Sequence, residues 1–391
     1  MPTLRLVPAS TEDYRRLAER NLPRFLFDYI DGGAYQERTL RANVEDLHNL
    51  KLNQRVMRDV SQLDTRAQFV GENSSMPVAL APIGMGGMMA RRAEVQAVQA
   101  ADAIGIPFCL STVAICSLEE VAKAARRPFW FQLYMLRDRG AVRELLQRAR
   151  AVGVSTLVFT VDLAVVGARY RDVRNGMGGG TGLMGRLRGG LYEYLTHPRW
   201  LANVALAGKP HIFGNLSDYV PKATTPGDFK AWVDAQFDPS VTWKDIERLR
   251  ADWPGKLVIK GVLSPEDALA AANAGADAVI VSNHGGRQLD GAASTITALP
   301  PIADALAGRT EVLMDGGVRS GQDVARALAS GARAVMIGRP WIWALAARGR
   351  AGLQRLLATF AAELRVTMAL TGAPTIADLN ADILAKGRGA K

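Results

Sequence analysis

Short, nearly continuous apolar runs recur along the chain, separated by longer stretches in which apolar residues return every three or four positions. The runs are VALAP (78–82), PFCLS (107–111), WFQLY (130–134), TLVFTVD (156–162), LVIK (257–260), AVIVS (278–282), EVLMD (311–315) and AVMIG (334–338). Runs without alternation suit parallel strands covered on both faces. The stretches between them carry helix signals. SLEEVAKAA (117–125) has a serine three residues before a glutamate, the capping-box spacing. SPEDALAAANAGA (264–276) opens on Ser-Pro and has a glycine near its end, and SGQDVARALASGA (320–332) also begins with serine and closes on glycine. Eight alternating units predict an α/β fold, a (β/α)8 or TIM barrel. Residues 1–70 precede the first strand and are expected to form a helical segment packing on a barrel of residues 71–391. One interval breaks the rhythm: more than ninety residues separate Asp162 from Leu257, and residues 176–190 contain eight glycines. The stretch 175–220 is therefore expected to be a flexible insertion after strand four.

In such barrels the chemistry sits at the carboxyl ends of the strands. Those ends carry Gln132 and Tyr134, Thr160 and Asp162, Lys260, Ser282 and His284, Asp315, then Gly338 and Arg339. His284 begins His-Gly-Gly-Arg. A loop histidine near a surface arginine is the plain reading. The functional one is a proton carrier active near neutrality beside a guanidinium that forks onto a carboxylate, with glycines letting backbone approach a ligand. Asp162 suits either a helix cap or an orienting partner for His284. Arg169 is either a second carboxylate clamp or a solvated charge. Lys260 ends a buried strand, which is costly without a negative partner such as a cofactor that becomes anionic. The glycine turns DGGVRSG (315–321) and GR (338–339) place Gly316, Gly317, Arg319, Gly338 and Arg339 where barrels frequently cradle phosphate.

Composition narrows the classes. The 391 residues are 48% hydrophobic and carry a formal net charge of +10. The charge alone admits nucleic acid, anionic membrane or anionic substrates. No RNA-binding signature, paired metal-ligand cysteines or long Lys/Arg block accompanies it, so no nucleic-acid partner is expected. Two cysteines, Cys109 and Cys116, exclude a disulfide framework and fit a reduced compartment. No secretory signal is visible and no transmembrane segment is expected. There is no GxGxxG after a first strand, against a Rossmann domain. No metal site is expected.

SNHGGRQLD (282–290), with RFLFDYIDGGA (24–34), FQLYMLRDRG (131–140), GARYRD (167–172) and QFDPSVTWKD (236–245), resembles the FMN-dependent α-hydroxy-acid dehydrogenase and oxidase family, and within it the membrane-associated bacterial L-lactate dehydrogenases. The resemblance covers nearly the whole chain. It implies FMN, a small (S)-2-hydroxy acid as substrate, a membrane quinone as acceptor, a homo-oligomer such as a tetramer, and a peripheral place on the cytoplasmic face of the inner membrane. Matched residue by residue, it implies His284 as base with Asp162 as its partner, and Arg169 and Arg287 as the carboxylate clamp. Tyr29 and Tyr134 become the phenols at the substrate. Lys260 lies near the flavin N1–C2=O edge. Pro82, Ile83, Gly84, Ser111, Gln132, Thr160 and Ser282 contact the ring, and Asp315, Gly317, Arg319, Gly338 and Arg339 the ribityl chain and phosphate.

Two departures keep alternatives open. Gly84 follows "API", where several oxidases of the family carry alanine; this favours a dehydrogenase over an oxygen-using oxidase. DLAVVG (162–167) has Val165 and Val166 where lactate enzymes often carry a proline, a pattern similar to mandelate dehydrogenase. A non-catalytic phosphate-ligand barrel is the alternative from another class. In the insertion, four Lys/Arg and one acid between 175 and 217 are interspersed with Leu183, Met184, Leu187, Leu191, Tyr192, Tyr194, Trp200 and Phe213. Basic and aromatic residues together suit an interfacial anchor; a lid or subunit contact is the other reading, and the resemblance tips it toward membrane.

Overall fold

The computed structural model describes residues 7–175, 193–217, 219 and 235–385. Leu183, Met184, Leu187, Leu191 and Tyr192 of the insertion lie outside the described residues, as does the Tyr194 side chain.

All eight apolar runs are strands: β1 (Val78–Leu80), β2 (Cys109–Ser111), β3 (Trp130–Leu133), β4 (Thr156–Thr160), β5 (Lys256–Val262), β6 (Ala278–Val281), β7 (Glu311–Met314) and β8 (Ala334–Ile337). Seven parallel pairings join them in the order β1-β8-β7-β6-β5-β4-β3-β2. A parallel bridge between Leu80 and Phe108, with Leu80 N–H donating to the Pro107 carbonyl at 2.9 Å, closes the ring. The expected (β/α)8 barrel is the observed fold.

Strand side chains alternate between two faces, and the alternation separates two cores. Phe131, Leu157, Phe159, Ile259 and Val279 face the helices. Ala79, Cys109, Trp130, Val158, Val258, Ile280, Leu313 and Met336 fill the barrel interior. Counting two residues on from these interior positions gives Ala81, Ser111, Gln132, Thr160, Lys260, Ser282, Asp315 and Gly338. One parity rule thus sets an apolar layer below and a polar layer above.

The helix signals act as expected. Ser264 and Ser320 accept the N–H groups of Asp267 and Asp323, each at 3.1 Å. Ser117 accepts from Glu120 N–H at 3.2 Å, but the Glu120 carboxylate turns to Arg92, so a tertiary ion pair takes the acid that a full capping box would use.

The N-terminal part forms helices α1 (Thr11–Asn21), α2 (Arg24–Asp31) and α3 (Arg38–Asn49). A short antiparallel hairpin (Ala67–Phe69 with Glu72–Ser74), too brief to read from the sequence, spans position 70. It floors the barrel: Phe69 and Val70 join the interior core, and Glu72 accepts the Trp130 indole N–H at 2.9 Å. The C-terminal helix Arg339–Thr371 packs on α1 and breaks at Arg348 and Gly349, where the backbone leaves helical geometry.

At the other end α3 holds the turn after β6. Asn43 and Asn283 exchange amide hydrogen bonds at 2.8 and 2.7 Å, both buried. Asn283 also accepts Gly286 N–H at 3.0 Å, and Asn43 accepts Thr295 N–H at 3.1 Å. Gly286 has φ +73°, and a Cβ there would stand 2.5 Å from the Leu40 nitrogen, so only glycine lets the turn reach α3. Asn43→Ala takes the acceptor from the buried Thr295 N–H and two of the bonds from Asn283; it should cost about 1–3 kcal/mol, read as a lower midpoint of denaturant unfolding, whereas an unchanged midpoint would show that the pair does not hold the turn.

Candidate active site

The polar layer opens into a cavity at the carboxyl ends of the strands. Its wall includes Tyr29, Pro82, Ile83, Gly84, Tyr134, Thr160, Arg169, Lys260, His284 and Arg287 on one side, and Asp315, Gly316, Gly317, Arg319, Gly338 and Arg339 on the other. Ser111, Gln132, Asp162 and Ser282 belong to the same polar layer and bond within it, Ser111 to Gln132, Asp162 to His284 and Ser282 to Lys260. Residues from all parts of the chain, some two hundred and fifty positions apart, therefore meet at one site.

His284 Nδ1 lies 2.9 Å from Asp162 Oδ1. That bond fixes the tautomer with Nδ1 protonated and leaves Nε2 as the basic nitrogen. Two backbone features hold the pair. His284 sits at φ +56°, unusual for a residue with a Cβ, with its N–H on Ser282 Oγ at 3.1 Å. Between the two strands that carry the pair, β5 bulges between Lys260 and Val262, and a Cβ on Gly261 (φ +111°) would come within 2.7 Å of Asp162. Burial holds His284 below the ordinary histidine value, outweighing the upward pull of Asp162. Burial pushes Asp162 up, but His284 and Lys260 more than reverse it, so its carboxylate stays ionised.

Lys260 finds its negative partners within the protein. Its Nζ is 3.1 Å from Asp315 Oδ2 and donates to Ser282 Oγ at 3.0 Å. Burial lowers its pKa, yet Asp315 and Asp162 raise it further, so the ammonium stays charged. The charge read from the strand end is thus met by two carboxylates.

The two arginines expected to clamp a carboxylate are neighbours. Arg169 Nε approaches the Arg287 carbonyl at 3.5 Å and its guanidinium lies 3.9 Å from Asp172. Arg287 donates to the carbonyls of Tyr29 and Gly32 and lies 5.0 Å over the Tyr29 ring. It makes no salt bridge among the described residues. Burial, and then the like charge of Arg169, bring it down to about 10. A carboxylate between them would relieve both terms. Tyr134 is buried, and burial followed by the Asp162 charge raises its pKa, so its hydroxyl stays protonated.

The far side has the same unmet positive charge. Arg319 lies 5.2 Å over the Trp343 ring, and burial takes it down to about 10. Arg339 donates to the carbonyls of Asp31, Gly32 and Gly285 at 3.1, 2.8 and 2.9 Å; burial, then Arg287 and Arg319, hold it well below its ordinary value. Neither meets a carboxylate within salt-bridge distance among the described residues. Half-buried cations whose neighbours are carbonyls and an aromatic ring fit a phosphate. Between the two sides, Gln132 Nε2, Thr160 Oγ1 and Asp315 Oδ1 are buried polar atoms without partners. Native proteins rarely leave such atoms unmet, and a heterocycle with ring carbonyls and a hydroxylated phosphate tail would satisfy them. The residues present therefore fit FMN.

The sequence reading missed part of the wall. Phe213 and Phe237 reach the cavity, as do Met85, Val113 and Leu163, while Val166, from the segment the sequence placed beside the substrate side chain, lines it as expected. Val165 does not; its side chain is 70% exposed. Trp200 also turns inward and donates its indole N–H to the Met88 carbonyl at 2.8 Å. Trp200 and Phe213 are thus correctly placed for packing rather than for a lipid anchor. Alternation has no hold on loops, so nothing in the sequence marked these aromatics as inward.

Known proteins resemble this chain over nearly its whole length. Residues 18–386 match the FMN-dependent dehydrogenase family. The chain is 55% identical over 383 residues to the L-lactate dehydrogenase of Ectopseudomonas mendocina (strain ymp), covering 98% of this chain and 100% of that protein. It is 54% identical over 381 residues to the L-lactate dehydrogenase of Xanthomonas axonopodis pv. citri (strain 306), covering 97% of each. Among solved structures, the monotopic membrane protein (S)-mandelate dehydrogenase superposes with a TM-score of 0.89 at 35% identity, over 97% of this chain and 100% of that one. A mandelate oxidase superposes with a TM-score of 0.80 at 36% identity, over 97% and 98%. With the family matched over nearly its full length and a cavity that fits the family's cofactor, this chain belongs to the FMN-dependent dehydrogenases.

Proposed function

We propose that the chain oxidises L-lactate to pyruvate at FMN and passes the electrons to a membrane quinone. The observation that carries the chemistry is a neutral histidine, paired to a buried aspartate, in one cavity with two guanidiniums, of which Arg287 has no carboxylate partner among the described residues. The choice of lactate is supported by the names of the relatives at 54–55% identity. A larger 2-hydroxy acid is the second reading, favoured by the apolar wall of Val166, Phe213 and Phe237 and by the likeness to mandelate enzymes.

FMN, when bound, would take up the two electrons and one of the two protons that leave the substrate. The chain does the rest. Arg169 and Arg287 hold the carboxylate, Arg287 being preset by the Tyr29 and Gly32 carbonyls. Tyr29 and Tyr134 hold the substrate oxygens, Tyr134 as a donor. Nε2 of His284 takes a proton as the C2–H and O–H bonds break and the C2=O bond forms. Asp162 stabilises the imidazolium so produced. Lys260, Ser111, Gln132, Thr160, Ser282 and the backbone of Pro82, Ile83 and Gly84 would hold the ring. Asp315, Gly317, Arg319, Gly338 and Arg339 would hold the ribityl chain and phosphate.

Peripheral attachment to the cytoplasmic face of the inner membrane belongs to the same proposal. No helix among the described residues is long and apolar enough to cross a membrane. The contact would be made by residues 175–220, where Leu195, Leu206 and Ile212 are exposed. Self-association into a homo-oligomer, such as a tetramer, is supported by a second exposed group, Val56, Met57, Val366 and Leu370, gathered where Arg55 N–H meets the Leu370 carbonyl at 2.9 Å; a monomer mass by light scattering would remove it.

His284→Gln should keep FMN bound yet lose flavin reduction by a factor of about 10² or more, the usual scale of a lost general base; rapid reduction by lactate in stopped flow would rule out this base. Because the base works only when neutral and its pKa lies below the ordinary 6.5, kcat/KM should be full above pH 6.5 and fall only as pH drops through that lowered value. An acid limb centred above 6.5 would contradict the burial. For the acceptor and substrate, anaerobic flavin bleaching by lactate and mandelate, followed by reoxidation with a soluble quinone or with oxygen, decides the case. Faster bleaching by mandelate, or stoichiometric hydrogen peroxide, would overturn the proposal. Changing Leu195, Leu206 and Ile212 together to serine should move the protein from the membrane pellet to the supernatant; unchanged pelleting would remove these residues from the contact.

A further inference from the structure

A second cavity, of about 530 Å³, opens away from the barrel mouth. Its walls are the end of α1, the turn after β1, residues 196–204 and the break in the C-terminal helix. It shares no residue with the wall of the first cavity. Arg20, Arg91, Arg199 and Arg348 line it together with His197, and no aspartate or glutamate is among the described residues of the lining. Arg20, Arg91 and Arg199 make no ion pair among the described residues.

The walls are built rather than incidental. The break at Arg348 and Gly349 frees helix carbonyls, and Asn21 Nδ2 donates to those of Ala346 and Ala347, both at 3.1 Å. On the other side of the break, Gln96 Oε1 accepts the Arg350 N–H at 2.8 Å. Trp200, packed edge-on against Phe25 with ring centroids 6.5 Å apart, anchors the segment that carries His197 and Arg199. The guanidiniums of Arg20, Arg91 and Arg199 are exposed around one concavity and repel one another, and the concave wall concentrates their field. An anion with several oxygens meets both conditions, and guanidinium forks match phosphate geometry.

We propose that this cavity binds a phosphate-bearing anion, through Arg20, Arg91 and Arg199. Two sources share that chemistry, a phospholipid headgroup and a soluble phosphate. The same segment exposes Leu195 and Leu206, and apolar side chains beside a phosphate site suit the boundary between headgroups and acyl chains. The inference does not depend on the reading of the hydroxy-acid chemistry, which a soluble electron acceptor measures separately.

Two binding arms on the full chain with FMN test it: flotation with phosphatidylcholine vesicles containing or lacking phosphatidylglycerol, and calorimetric titration with inorganic pyrophosphate. The variants are Arg20→Gln with Arg91→Gln, and a control of equal charge, Arg66→Gln with Arg248→Gln, whose side chains are 81% and 78% exposed at other places on the surface. The cavity pair should weaken binding by about fivefold per arginine, the attraction of one basic side chain to an anionic surface. The control pair should bind as the parent does, and all should turn over lactate equally with a soluble acceptor. Loss in the flotation arm assigns the headgroup, and loss in the pyrophosphate arm assigns a soluble phosphate. Equal loss in the control pair, or no binding by the parent in either arm, overturns the site. Lost turnover in the parent itself would count against the hydroxy-acid reading and leave this one standing.

Discussion

A single buried ammonium organises the barrel mouth. Lys260 lies in the interior where a lone charge would be prohibitive, and it is tolerated because Asp315 and Asp162 flank it. The arrangement is reciprocal. Lys260 keeps Asp162 ionised, and an ionised Asp162 is what fixes the imidazole of His284. Ser282 ties the lysine to the histidine turn by accepting from both Lys260 Nζ and His284 N–H. The charge on one strand thereby sets the tautomer of a ring at the end of the next.

Holding that ring has a conformational cost, since His284 occupies a backbone region that side chains avoid. The compensation is local and polar. The reciprocal amides of Asn43 and Asn283 clamp the following residues to α3, and the missing side chain at Gly286 brings the two segments into contact. The N-terminal helices therefore belong to the site as much as the barrel does. Tyr29 lies on α2, and the carbonyls of Tyr29, Asp31 and Gly32 receive the guanidiniums of Arg287 and Arg339.

Most of this was legible in the sequence because strands obey a simple period. Uninterrupted apolar runs marked eight buried strands, and the two-residue alternation carries from Val158 to Thr160, from Val258 to Lys260 and from Leu313 to Asp315. The polar terminus of each run was visible as a change of residue type. What could not be read was set by distance rather than by period. That Lys260 would meet Asp315 depends on register across three strands. That Phe213, Phe237 and Trp200 would turn inward depends on how a loop lands on the barrel. The hairpin of residues 67–74 has too few residues to show any period, and the Glu120 carboxylate was diverted from its cap by an arginine on another element.

That hairpin plugs the barrel from below. With Phe69 and Val70 joined to the packed interior, the polar layer is reached, among the described residues, from the carboxyl ends of the strands. The barrel's chemistry is thereby confined to one rim, and the opposite rim is left to stability.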